Sequence, residues 1–365
     1  MKNTPAQSEP TGRPDPTLPF HRGSARRVRP LALAAWTALF AVALLAFTAP
    51  IRSWVDRHPR LRFDDRVWAK QALGSYLQGP ERFSGVFLGS SRVARGIIPR
   101  AFDAELTARG VEVHTLNLGR LGMNFVELST LARRLLRWDP GSLRFAVIEL
   151  TDFDPKFLEV NRRTPRLVGW HTPRATRDML AVLWSSERTL HGKLVDSFLH
   201  VVECADYLGN VGLASRIART RSEPTGAYLQ GAVARASGYN RAETDEVLRE
   251  KAVARLHTLE PPRPGRAPEL TAVERRLLLE LDRDLRSAGI QPIYLRMPGF
   301  RREGAVLDAV RAKLVTPVID PYAEPGFEGL FVRESFQDLE HLNHDGAKRF
   351  SRLLADRIAP LLGRN

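Results

Sequence analysis

Apolar positions along the chain follow different patterns in different stretches. From Leu31 to Ala49 they run without a single charged residue. At about 1.5 Å rise per residue, a helix of that length nearly crosses a hydrocarbon core of roughly 30 Å. Arg22, Arg26, Arg27 and Arg29 precede the run, which favours a cytoplasmic N-terminus; Arg52, Arg57, Arg60 and Arg62 follow it and weaken the asymmetry. Cleavage after Ala49 would place Phe47 and Pro50 where a signal peptidase needs small or permissive residues. The pattern therefore predicts an uncleaved signal anchor over residues 30–50. It also predicts a disordered tail over 1–29, a stretch rich in Pro, Arg, Thr and Ser with no apolar period.

Beyond the anchor, Trp54, Phe63, Trp68 and Tyr76 recur at helical spacing and predict a stalk helix within 53–80. An alternation of short apolar runs with amphipathic stretches then begins. Strands are predicted at Gly85–Leu88, Val111–Leu118 and Leu143–Leu150, and helices at Arg100–Arg109 and Phe125–Arg137. The rhythm breaks at Asp154-Pro155. Residues 156–265 show helical stretches such as Ala175–Trp184 and Glu187–Leu199 and end in the Pro-rich segment Pro261–Gly265. It resumes with a helix at Ala272–Ala288, a strand at Gln291–Leu295, a helix at Gly304–Leu314, a strand at Pro317–Ile319 and a last helix from Asp345 to Leu362. Strands alternating with helices predict an α/β fold around a central parallel sheet with right-handed crossovers. The domain spans 51–155 and 266–365, and a mostly helical insertion occupies 156–265. No internal repeat is present.

Composition changes this picture little. The chain has 365 residues, 43% of them hydrophobic, and a net charge of +14 carried mainly by arginine. Either an arginine-biased composition or attraction to an acidic surface accounts for the charge. No zinc-ligand spacing and no RNA-recognition signature occurs, so nucleic acid is not an expected partner, and neither a metal nor a cofactor is implied. The single cysteine, Cys204, excludes an intrachain disulfide and reads as a small core residue.

Two segments carry candidate chemistry. Gly89-Ser90-Ser91-Arg92 follows the first strand and presents a serine at its C-terminal end, where open α/β sheets bind ligands. The Ser91 backbone N–H, at a helix start, is placed to stabilise an oxyanion; a plain N-cap role for the serine is the alternative. Asp338-Leu339-Glu340-His341 sets a carboxylate three residues before an imidazole, a spacing that lets the acid orient the base. His344 lacks an acid at that spacing. Asn117-Leu118-Gly119-Arg120-Leu121-Gly122 follows the second strand, and a glycine N–H there, Gly122 before Gly119, is a candidate oxyanion donor. Arg92 suits either an anionic substrate group or a structural carboxylate.

The order Ser91…Asp338…His341, with the Gly119–Gly122 turn between, resembles the SGNH/GDSL hydrolase superfamily over roughly residues 84–152 and 290–362. It is similar in particular to membrane-anchored envelope members such as the D-alanyl transfer protein of teichoic acids and the alginate O-acetylation proteins. The resemblance implies a three-layer sandwich with flavodoxin-like strand order. It implies Ser91 as nucleophile, His341 as base, Asp338 as its orienting acid, and Ser91 and Gly122 as the oxyanion hole. The implied activity is an esterase or O-acyltransferase acting on an envelope glycan or lipid, from the periplasmic side of the inner membrane, with a membrane-bound O-acyltransferase as a possible partner. Two departures stand out. Ser90 replaces the usual aspartate, and the third strand ends Glu149-Leu150-Thr151-Asp152 with no asparagine. A non-catalytic scaffold or binding component of an acylation system is the alternative. The insertion leaves the core beside the expected site, so a wall or lid lined by Trp170, Arg163 and Arg166 is expected.

Overall fold

The computed structural model describes residues 30–57, 83–138, 141–153, 165–210, 269–299, 309 and 312–363. The predicted tail 1–29, most of the predicted stalk helix, Arg163, the linker Pro261–Gly265 and most of the predicted helix Gly304–Leu314 lie outside those residues. The chain divides into two compact units, Met1–Ala46 and Phe47–Asn365. The apolar run forms most of helix α1 (Pro30–Arg57). Within it, Leu31–Thr48 has a mean hydropathy of 2.2 and is long and apolar enough to cross a membrane. Leu31, Leu33, Trp36 and Phe40 project outward from it, exposed.

The larger unit is built on five parallel strands: β1 (Gly85–Leu88), β2 (Thr115–Asn117), β3 (Phe145–Glu149), β4 (Gln291–Leu295) and β5 (Val318–Ile319), in the order β2-β1-β3-β4-β5. The register sets Val86 beside Leu116 and Ala146, and Val147 beside Ile293. Around the sheet lie α2 (Ser91–Gly96), α3 (Pro99–Thr107), α4 (Phe125–Trp138), α5 (Pro165–Trp170), α6 (Pro173–Ser185), α7 (Leu190–Leu208), α8 (Ala272–Ser287) and α9 (His344–Leu362).

Period-two alternation along the strands feeds two cores. Val86, Leu88, Ala146, Ile148 and Tyr294 face one, with side chains of α4, α6 and α8. Phe87, Phe145, Val147, Ile293 and Leu295 face the other, with side chains of α2, α3 and α9. Both faces of the sheet are therefore covered, which explains why its strands read as near-continuous apolar runs. Phe87 meets Phe102 edge-to-face at 5.0 Å between centroids, and each ring is fully buried. Such burial stabilises by roughly 1.5–3 kcal/mol per side chain.

The sequence-predicted elements recur with shifted ends. Only Thr115–Asn117 of the expected strand Val111–Leu118 pairs: among the described residues β2 is an edge whose neighbour, β1, has four residues. Val111 is still closing the end of α3, its N–H donating to the Leu106 carbonyl. Helix α7 starts later than expected, after the cap Thr189, whose hydroxyl accepts the Gly192 N–H at 3.2 Å, and runs on to Leu208, with Gly209 as its C-cap. Helix α8 opens with the reciprocal capping pair Thr271 and Glu274. The described part of the insertion, α5 to α7, is not a separate lobe. Leu167, Trp170, Met179, Leu183 and Leu199 join the same core as the sheet residues Val86 and Ile148.

Candidate active site

The C-terminal end of β1 turns sharply through Gly89 into α2. A Cβ on Gly89 would lie 2.4 Å from both Glu149 Oε2 and Val93 Cγ2, so only glycine lets the turn sit against β3. Ser90 caps α2: its hydroxyl accepts the Arg92 N–H at 3.2 Å. That hydroxyl donates in turn to Glu149 Oε1 at 3.0 Å, and the Ser90 N–H donates to Glu149 Oε2. Arg92 Nε donates to Glu149 Oε1 at 2.8 Å. Glu149, 0% exposed at the end of β3, thus gathers three donors from the turn and holds it. Between the two roles open to Arg92, the structure supplies the carboxylate partner.

Ser91 is left to face His341. Its Oγ lies 2.8 Å from His341 Nε2, and His341 Nδ1 lies 2.9 and 2.8 Å from the two Asp338 oxygens. The acid and base share one tight loop. Asp338 Oδ1 also accepts the Glu340 and His341 N–H groups at 2.8 and 2.9 Å. A bridge between Phe336 and Leu342 closes the loop, with the Asn343 N–H donating to the Ser335 carbonyl at 3.0 Å. Asn343 then caps α9, accepting the Gly346 N–H at 2.9 Å. Burial pushes the Asp338 carboxyl upward, but the hydrogen bond and charge of His341 and the two backbone donors outweigh it and hold it below the usual aspartate range.

The segment after β4 lies against this loop: a Cβ on Gly299 would sit 3.5 Å from the Leu339 carbonyl oxygen. The Tyr322 hydroxyl accepts the Gly299 N–H at 2.7 Å and donates to the Gly299 carbonyl. Burial raises the Tyr322 pKa and keeps the hydroxyl protonated for that bond. Arg296 stacks 3.7 Å over the Tyr322 ring and pairs with Asp320 at 3.2 Å.

The candidate oxyanion donors separate. The Gly119 N–H is committed to Asn117 Oδ1 at 2.9 Å, and a Cβ on Gly119 would lie 2.4 Å from the Ala94 nitrogen. Gly119 is therefore small so that α2 can pack against it. The Arg120 N–H donates to the Gly89 carbonyl at 2.8 Å, fastening this loop to the nucleophile turn. Gly122 adopts φ +61°, a left-handed conformation that favours glycine. Among the described residues, neither the Gly122 nor the Ser91 N–H has a protein acceptor. At the end of β3, the Thr151 hydroxyl donates to the Met123 carbonyl at 3.3 Å, so it is engaged with the same loop rather than with the serine.

Trp170 turns into the core. It is 4% exposed, packed in the core with its ring 3.9 Å from His171, and offers no exposed wall. The insertion reaches the site through Arg166 instead. Arg166 grips Glu127 with Nε and Nη2 at 2.8 and 2.9 Å and donates from Nη1 to the Leu121 carbonyl at 2.6 Å. Among the described residues, no group of three or more His, Cys, Asp or Glu side chains is arranged to hold a metal ion.

Sequence reasoning missed Glu149 and Asn117. The signal for Glu149 was present: a lone carboxylate ends the apolar strand Phe-Ala-Val-Ile-Glu, where a buried charge needs a partner. Asn117 donates to the Val93 and Ile97 carbonyls, both at 2.8 Å, and so ties the end of α2 to β2.

No protein-family model matches the chain, and no curated protein matches it. The class it falls in by structure is an open α/β sheet with a Ser–His–Asp hydrogen-bonded chain at the C-terminal ends of its strands.

Proposed function

We propose that this chain is a membrane-anchored serine acyl-ester hydrolase or O-acyltransferase of the SGNH/GDSL type, its catalytic domain outside the cytoplasm and its substrate an envelope glycan or lipid. The observation that carries the reading is the continuous path from Ser91 Oγ through His341 to Asp338, at 2.8 Å and 2.8–2.9 Å. The sheet order β2-β1-β3-β4-β5, with the serine where strand order reverses between β1 and β3, supports it further.

In this reading His341 Nε2 accepts the Ser91 proton as Oγ attacks the ester carbonyl carbon. The carbonyl π electrons move to oxygen, and the Ser91 and Gly122 N–H groups stabilise that oxyanion. Collapse breaks the ester C–O bond, and His341 returns the proton to the departing alkoxide. Water or a glycan hydroxyl then attacks the acyl-serine with His341 again as base, which yields hydrolysis or acyl transfer. Asp338 keeps the imidazole in the tautomer with Nε2 open. A membrane-bound O-acyltransferase fits as the source of the acyl group.

A non-catalytic scaffold is the second reading. It is favoured by Ser90 in place of an aspartate and by a Thr151 hydroxyl already spent on Met123. Labelling of the full chain in detergent with a fluorophosphonate tests the two. Covalent labelling that Ser91→Ala abolishes supports the enzyme; an unlabelled, cooperatively melting protein supports the scaffold.

A further inference from the structure

Helix α7 is apolar on two faces. Leu199 and Tyr207 turn inward and are buried with His200 and Glu203. On the opposite side Leu190, Leu194, Phe198 and Val201 are between 50% and 65% exposed, and Ala205 is exposed after them. At about 100° per residue these five fall within one narrow stripe, about 23 Å long at 1.5 Å per residue. No charged residue interrupts it. Trp184, half exposed at the end of α6, flanks the stripe with its indole N–H donating to Ser197 Oγ at 3.1 Å. Lys193 stands beside it, its ammonium donating to the Trp184 carbonyl at 3.2 Å. A contiguous apolar stripe left open on a surface helix ordinarily meets a partner or a membrane.

We propose that this stripe of α7 docks into the headgroup–acyl boundary of the bilayer in which α1 is anchored. The inference rests on reading Leu31–Thr48 as a membrane span. That span confines the domain: the chain from Arg57, where α1 ends, to Phe83 extends at most about 95 Å at ~3.6 Å per residue. A tethered surface meets its target at an effective concentration on the order of millimolar, so a stripe too small to bind from solution suffices. Its chemistry suits lipid: a long aliphatic and Phe face, a tryptophan whose polar edge is satisfied, a neighbouring lysine, and a net charge of +10 over residues 31–365 (49 basic, 39 acidic) toward anionic headgroups. The helix also connects to the candidate site. Helix α7 packs on α5, and Arg166 of α5 donates to the Leu121 carbonyl in the Gly119–Gly122 loop. Docking would therefore hold the serine at a set height above the lipid, which fits an ester presented at the membrane surface.

The test uses the full chain with Cys204→Ser, reconstituted into phosphatidylcholine–phosphatidylglycerol vesicles. Nitroxide labels are placed singly at Leu194→Cys, Phe198→Cys and Val201→Cys, with Arg352→Cys on α9, across the sheet, as reference. Collision rates with oxygen and with a water-soluble nickel chelate are read by electron paramagnetic resonance. The expected result is several-fold exclusion of nickel and enrichment of oxygen at the three α7 positions, at a depth of about 5–10 Å, with Arg352→Cys water-like. Phe198→Glu should abolish the exclusion at Val201→Cys. Nickel access at all three positions equal to that at the reference overturns the docking while leaving the anchor intact. Spin–spin broadening that grows with protein density assigns the stripe to a second copy and also overturns it. Extraction of the chain by alkaline carbonate overturns the anchor on which the docking rests.

Discussion

His341 Nε2 lies 2.8 Å from Ser91 Oγ across 250 positions of sequence. Two separate turns bring them together, one after β1 and one before α9, and both helices, α2 and α9, pack in the same core beneath the sheet. The first expected outcome concerns this pair. Ser90, not Ser91, caps α2, so Ser91→Ala removes no cap. Ser91→Ala and His341→Ala should each lower ester turnover by about 10⁴-fold or more. The Ser91→Ala melting transition should stay near that of the parent. Asp338→Asn should lower turnover to a similar degree, because Nδ1 then loses its anionic acceptor. Turnover of a chromogenic ester together with thermal melting checks all three.

Glu149→Gln should disturb the nucleophile turn. The amide keeps one acceptor oxygen but loses the charge opposite Arg92 and places an NH₂ against the Ser90 donors. A loss of about 2–3 kcal/mol in urea unfolding is expected, with lowered turnover as Ser91 drifts from His341. Unchanged stability would mean that the turn holds itself.

A buried histidine pair predicts acid sensitivity. His171 Nδ1 bonds the Leu167 carbonyl at 2.6 Å, and His171 Nε2 meets His200 Nδ1 at 2.8 Å. If the first bond is donated by His171, its Nε2 accepts from His200, and both rings are neutral. Burial holds His171 down to about 4; burial, then the charges of His171 and Arg188, hold His200 down to about 3. Their ordinary value is 6.5, so between pH 6.5 and 4 the unfolded chain binds more protons than the folded one. Stability contributed by the neutral pair is full above pH 6.5 and falls with pH, by roughly 2–5 kcal/mol at pH 4. Chemical denaturation at stepped pH should show this slope, and His200→Phe should flatten it.

Trp170→Ala should act on stability rather than on substrate choice. The side chain is buried among Leu167, His171 and the α7 residues, so truncation leaves a cavity and costs about 3–5 kcal/mol. The ratio of turnover on a bulky ester to that on a small ester should not change. A selective loss on the bulky ester would return Trp170 to the substrate.

Topology can be checked on its own. A C-terminal alkaline phosphatase fusion should be active and a β-galactosidase fusion inactive if Leu31–Thr48 spans with its N-terminus in the cytoplasm. The reverse pattern would invert the orientation.

Local chemistry made much of this protein legible in its sequence. Strands β1 and β4 were readable to the residue, because both lie between two cores and, apart from Gln291, are apolar. Helices α4 and α9 were readable within one residue at each end, because amphipathic period and caps are local. The Asp338–His341 pairing was readable for the same reason: three residues in a turn suffice for the contact. Distance in the chain hid the rest. Glu149 comes under Ser90 and Arg92 only when β1 and β3 pair, and nothing near position 149 names those partners. Trp170 was expected to line a wall over the site; it is buried with Leu167 and Leu199 in the core, which the sequence around it does not reveal. The choice between Gly119 and Gly122 depended on which N–H the folded loop had already used. Periodicity identifies a side that is buried, but only the packed fold decides what stands opposite it. That is also why the outward stripe of α7 read simply as a helix until its inner face was seen to be filled.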